Sequence, residues 1–180
     1  LQAGKAISFW GWGAPGEEVK VSFAGKETSA KVNAGGLWSV ELPAMKKSFE
    51  GREVTISSKS GKRTLKDVLI GEVWVCGGQS NMEWTLRSTR DADLEMLSVK
   101  HPEIRFIRLP KVARYKPQDD FPVEGPTKSE GNWRRCVPEQ VENCTAVGYY
   151  FARRLRRALN TPVGLIDVSW GGTMAQHWVT

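Results

Sequence analysis

At 180 residues, 40% hydrophobic and 26% charged, the chain has an ordinary globular composition and can bury a real core, as one domain or as a small domain joined to part of another. It has no run of about 18 apolar residues, which excludes a helical membrane span, and Leu1-Gln2-Ala3-Gly4 lacks the basic and apolar regions of a signal peptide, so the expected secreted or periplasmic location requires a mature or cropped chain. The net charge of +6 leans toward an acidic substrate, but its basic residues are spread along the chain, which argues against nucleic acid as a partner.

Residues 1–66 read as a run of short strands with turn signals between them. Val19-Lys20-Val21-Ser22-Phe23 alternates in period two before Ala24-Gly25, and further strands are expected over 28–32, 37–42 and 53–57. That spacing predicts a small β-sandwich in which Trp10, Trp12 and Trp38 are core residues. Gly11-Trp12-Gly13-Ala14-Pro15-Gly16 matches the dinucleotide fingerprint by spacing, but a strand rather than a helix follows it, so a β-turn is expected there.

From residue 67 onward apolar strands alternate with helical segments, which predicts an α/β domain with mainly parallel strands. Strands are expected over 72–76, 104–109 and 163–169, and helices over 91–99 and 145–159. The stretch 110–139, rich in Pro, Gly and charge, reads as a long loop that shapes a binding site. Within the second helix Arg153, Arg154, Arg156 and Arg157 alternate with Phe151, Leu155, Ala158 and Leu159, the pattern of a solvated face. Three cysteines without CxxC or Cys/His spacing argue against a zinc site. Cys76 reads as a core residue, whereas Cys136 and Cys144 fit a disulfide or two free thiols equally well. Asn143-Cys144-Thr145 fits the glycosylation pattern but reads better as a helix start.

Ser80 follows the apolar run Val73-Trp74-Val75-Cys76 closely, as a nucleophile at a strand end would. Such a serine needs a base, a group that orients the base, and donors for the oxyanion. In an open α/β sheet the carboxyl ends of the strands share one crevice, which would bring Ser80 toward the loop Ser169-Trp170-Gly171-Gly172-Thr173. Gly171 and Gly172 can bring backbone N–H groups close to a small reacting group, and the N–H of Ser80 adds a donor if a helix starts there. Spacing alone fits two ordinary strand-to-helix loops as well.

The run Leu69-Ile70-Gly71-Glu72-Val73-Trp74-Val75-Cys76-Gly77-Gly78-Gln79-Ser80-Asn81-Met82-Glu83-Trp84 closely resembles the nucleophile segment of the sialate O-acetylesterase family, a branch of the SGNH-type hydrolases. The resemblance continues through Ala146-Val147-Gly148-Tyr149-Tyr150-Phe151-Ala152 and Pro162-Val163-Gly164-Leu165-Ile166 to Ser169-Trp170-Gly171-Gly172-Thr173. Trp10 to Glu17 and Gly36-Leu37-Trp38-Ser39-Val40 are similar to the β-sandwich that precedes the hydrolase domain in that family.

The resemblance implies an N-terminal β-sandwich over 1–66, then part of a flavodoxin-like three-layer α/β esterase domain over 67–180. It implies hydrolysis of acetyl esters on sialic acid through an acetyl-enzyme on Ser80, without metal or organic cofactor. Ser80, Gly171 and Gly172 would form the oxyanion hole, with Gly172 favoured over Gly171, and Gln79 and Asn81 would have positioning roles.

The family's catalytic histidine lies downstream of the Trp-Gly-Gly-Thr loop. His177 and His101 are the only histidines here, and neither matches it. The chain therefore reads as the N-terminal portion of an esterase, partnered by a missing C-terminal segment or second chain that carries the base. A sheet of about three strands with an exposed edge predicts poor solubility or association with that part. The other readings are an esterase for acetylated polysaccharide and a non-catalytic carbohydrate-binding or structural subunit.

Overall fold

The computed structural model describes residues 1–116, 118–121 and 131–178, and it divides into two compact units, Leu1–Glu72 and Val73–Thr180.

The first unit contains strands β1 (Ile7–Trp12), β2 (Glu18–Phe23), β3 (Lys26–Lys31), β4 (Leu37–Leu42), β5 (Ser48–Ser58) and β6 (Gly61–Ile70). β1 pairs antiparallel with β4, and β3, β2, β5 and β6 form an antiparallel sheet in that order. Period-two alternation sends Val19, Val21 and Phe23 of β2 and Trp38, Val40 and Leu42 of β4 into one core with Ile7 and Val54. The β2–β3 turn is Ala24-Gly25, with φ of 51° and 75°. Positive φ at both positions of a two-residue loop gives the twist that antiparallel strands require.

Two expectations change in this unit. The division falls after Glu72, not at 66, because β6 runs through that position. Its polar stretch Gly61-Lys62-Arg63-Thr64 carries little apolar signal, as suits the edge strand of a sheet. Trp10 and Trp12 are not core residues: they are 57% and 50% exposed, whereas Trp38 is buried with its ring against Gly11. The glycine-rich segment is a turn as expected, since the Glu17 N–H donates to the Ala14 carbonyl at 3.1 Å and no helix opens.

In the second unit β7 (Glu72–Cys76), β8 (His101–Arg108), β9 (Arg134–Cys136) and β10 (Val163–Asp167) form one sheet in the order β7-β10-β8-β9. β10 runs parallel to β8, and β9 antiparallel to it, so the sheet is mixed. The fourth strand lies in the stretch expected to be a long loop; residues 117 and 122–130 of that stretch lie outside the described residues. The helices are α1 (Ser80–Glu83), α2 (Ala92–Ser98) and α3 (Ala146–Leu159). α3 presses Tyr149 and Ala152 onto Cys76, Ile104, Phe106, Val163 and Leu165.

Thr145 caps α3, its Oγ1 accepting from the Gly148 N–H and donating to the Met82 carbonyl at 2.5 Å. This supports the helix-start reading of Asn143-Cys144-Thr145. Gly148 lets the helix approach the sheet: a Cβ there would lie 3.0 Å from Cys76 Sγ and 3.3 Å from Leu165 Cδ1. The three cysteines are buried free thiols. Burial and a hydrogen-bonding contact with Cys136 push the Cys144 thiol well above the ordinary range.

Candidate active site

After Cys76 the chain leaves the sheet through Gly77 and Gly78, and α1 opens at Ser80. Gly78 has φ +141°, a conformation rare for other residues. α1 is one turn, closed by the Trp84 N–H on the Ser80 carbonyl at 3.0 Å. It is tied to the start of α3 by the Ala146 N–H on the Trp84 carbonyl at 2.7 Å and by the Thr145 hydroxyl on Met82.

The Trp-Gly-Gly-Thr loop meets the Ser80 loop at the carboxyl end of the sheet. The Val168 N–H donates to the Cys76 carbonyl at 3.1 Å, and the Trp170 N–H to the Gly78 carbonyl at 2.9 Å. A Cβ built on Gly171 would lie 3.4 Å from Ser80 Oγ, so the first glycine abuts the hydroxyl. Gly172 has φ +81° and open space where a Cβ would stand. Ser80 is exposed, and its hydroxyl has no hydrogen-bond partner among the described residues.

Three elements converge on Glu83, one turn after Ser80. Its carboxylate accepts from the Gly171 N–H, from Lys111 Nζ and, at 3.3 Å, from Arg108 Nη2. Burial opposes its charge, but Lys111, the Gly171 N–H and Arg108 outweigh that and hold the carboxyl below its ordinary range. Beneath the loop, Asp167 at the end of β10 is buried and accepts from the Ser169 N–H at 3.0 Å and the Ser169 hydroxyl at 2.5 Å. Arg108 Nε lies 3.9 Å from Asp167 Oδ2, too far for a hydrogen bond, and burial raises the Asp167 carboxyl despite those partners. Ser80, Glu83, Arg108, Trp84, Thr85, Arg87 and Ser88 line a cleft of about 320 Å³.

The other expected site residues are placed less centrally. Gln79 and Asn81 are exposed, and neither side chain makes a hydrogen bond among the described residues. The Gly171 N–H is taken by Glu83, which leaves Gly172 as the loop's available glycine donor. His177 lies on the turn Ala175–Trp178, and its Nδ1 accepts from the Met174 N–H at 2.9 Å. His101 begins β8, roughly 23 Å along the strand from Arg108 at about 3.3 Å per residue. Among the described residues, no group of three or more His, Cys, Asp or Glu side chains is placed to hold a metal ion.

No protein-family model matches the chain. It is similar to the sialate O-acetylesterase of Mus musculus, 29% identical over 94% of this chain and 33% of that protein. With the sialate O-acetylesterase of Homo sapiens it shares 31% identity over 94% of this chain and 34% of the relative. The chain is a distant relative of the sialate O-acetylesterases. It spans about a third of the length of these curated relatives. Among solved structures it matches a carbohydrate acetylesterase from Xanthomonas citri with a TM-score of 0.92 and 32% identity, over 99% of this chain and 39% of that one.

Sequence reasoning that found the relation to sialate O-acetylesterases through Ser80 and the two glycines missed the contacts of Glu83, Arg108, Lys111 and Asp167. Glu83 directly follows Gly78-Gln79-Ser80-Asn81-Met82, but its partner Gly171 is 88 residues away. The signal available for Asp167 was position alone: an acidic residue ending an apolar strand at the carboxyl edge of a sheet.

Proposed function

We propose that the chain carries the nucleophile and part of the oxyanion hole of a carbohydrate O-acetylesterase acting on O-acetylated sialic acid. The abutment of Ser80 Oγ on the Gly171-Gly172 loop carries this reading. Ser80 Oγ attacks the acetyl carbonyl, a base takes its proton, and the negative oxygen faces the N–H groups of Ser80 and Gly172. Collapse releases the sugar hydroxyl, and water then hydrolyses the acetyl-enzyme. A segment outside these 180 residues supplies the base: the Nδ1 of His177 already accepts from the Met174 N–H, and His101 stands at the opposite end of β8 from Arg108. The second unit is accordingly part of a three-layer SGNH-type domain, and the first is its β-sandwich. This chemistry calls for no cofactor.

An anionic sugar suits the cleft. Glu83 compensates Arg108 and Lys111, whereas Arg87 makes no ion pair among the described residues and offers its cation to a substrate carboxylate. Trp84, 55% exposed and held by its Nε1 on the Ser88 carbonyl at 2.8 Å, offers a face to the pyranose ring. A serine-directed phosphonate tests the assignment: it should label Ser80 in a longer form of the protein that includes the base. Labelling of another residue, or of none in any form, would contradict it.

One observation favours a second, sugar-binding reading. Trp10 and Trp12 stand exposed and edge-to-face on β1, with ring centroids 5.4 Å apart, and Ser8 and Glu41 share that strand pair. If this face holds sugar, titration with oligosaccharide quenches tryptophan fluorescence, and Trp10→Ala with Trp12→Ala removes the response. An unchanged response in the double variant would sink that reading.

A further inference from the structure

We propose that Glu83 is a positioning residue for the oxyanion hole, acting through the backbone of Gly171. The inference rests on the reading of Ser80 as the nucleophile. Glu83 and Ser80 occupy the two ends of the single turn α1, so an anchor at one end fixes the other. By accepting the Gly171 N–H, Glu83 joins the nucleophile turn to the glycine loop with a charge-assisted hydrogen bond. The loop is already held by the Trp170 N–H on Gly78 and by Asp167 on Ser169, and Glu83 fixes the residue between those anchors and Gly172. A Cβ on residue 171 would come 2.7 Å from Glu83 Oε2 and push the carboxylate aside, so glycine suits this contact. Gly172 is left unobstructed to turn its N–H toward an oxyanion beside Ser80.

Glu83 faces Lys111 and Arg108, with Asp167 behind Arg108 and Arg87 elsewhere in the cleft lining. The two nearest cations keep the carboxylate ionised where an isolated glutamate would take up a proton. Its contribution is thus fully present above the unfolded-state value and is lost as pH falls through the depressed folded value. The clamp persists through neutral and mildly acidic pH and opens only in stronger acid.

Amide NMR of the 180-residue chain tests the clamp without requiring catalysis. The Gly171 resonance should titrate with a midpoint below about 4.3, the ordinary glutamate value, and Lys111→Met should raise that midpoint. Glu83→Gln should abolish the titration and speed exchange of the Gly171 amide about tenfold or more. A Gly171 amide indifferent both to pH and to Glu83→Gln would overturn the clamp. In a form of the protein that labels at Ser80, Glu83→Gln should slow phosphonate labelling about tenfold, with partial rescue in Glu83→Asp. Equal labelling in Glu83→Gln would overturn the positioning role. If Ser80 labels in no form, the nucleophile reading fails, and with it the positioning role that rests on it, while the titration still decides whether the clamp exists.

Discussion

Ser80→Ala should lower acetate release from an O-acetylated sugar by about 10⁴-fold or more, with KM little changed, in any form of the protein that has the activity. The expectation follows from the position of Ser80 at the opening of α1, exposed, with its hydroxyl uncommitted among the described residues and beside the Gly171-Gly172 loop. Alanine leaves the helix turn, the proposed oxyanion N–H groups and the cleft-lining Arg87 and Trp84 in place, so substrate binding should persist. Only the acetyl acceptor is gone. Residual turnover would come from oxyanion stabilisation of direct attack by water. Steady-state kinetics with a released-acetate assay checks this, and a Ser80→Ala variant within tenfold of the parent would remove Ser80 from the mechanism.

The largest effect on stability is expected at Tyr149. Its side chain is fully buried between α3 and the sheet, and its hydroxyl donates to Glu95 Oε1 at 2.7 Å, bridging α3 to α2. Tyr149→Ala removes a whole buried ring and should cost about 3–5 kcal/mol. Tyr149→Phe keeps the ring and deletes one hydrogen bond. Because Arg153 Nη1 still donates to Glu95 at 2.6 Å, the carboxylate keeps a partner and the loss should be about 1 kcal/mol. Urea unfolding measures both, with the loss confined to the transition of the second unit if the two units unfold separately. Equal destabilisation by the two variants would assign the stabilisation to the hydroxyl rather than to the ring.

Among the strands that sequence identified, β2 and β7 carry the clearest pattern. Val19 to Phe23 alternates cleanly because one face meets the core, and β7 is a short apolar run bounded by glycines. β6 and β9 escaped notice for physical reasons. The first is an edge strand whose polar residues face water, and the second has three residues and draws its stability from pairing with β8. The two exposed tryptophans misled because large aromatics usually mark a core, whereas β1 sends Ile7 inward and leaves the alternate positions Trp10 and Trp12 outside.

At the site, Ser80 and the glycines were legible because a local motif and two strand ends declare them. The charges around them were not. Nothing local in Glu83 says that it will accept from Gly171, or that Arg108 and Lys111 will compensate it, since those contacts exist only once β8 and β10 lie side by side. The Gly171 N–H, which sequence offered to the oxyanion, is spent on that carboxylate for the same reason.

The most direct test of Ser80 as nucleophile is acetate release from O-acetylated sialic acid by the 180-residue chain, measured beside a longer form of the protein and beside Ser80→Ala in each. Activity is expected in the longer form alone, abolished by Ser80→Ala, if the base lies outside these residues. Ser80-dependent activity in the 180-residue chain would place the base among the residues described above and contradict that division of the chemistry.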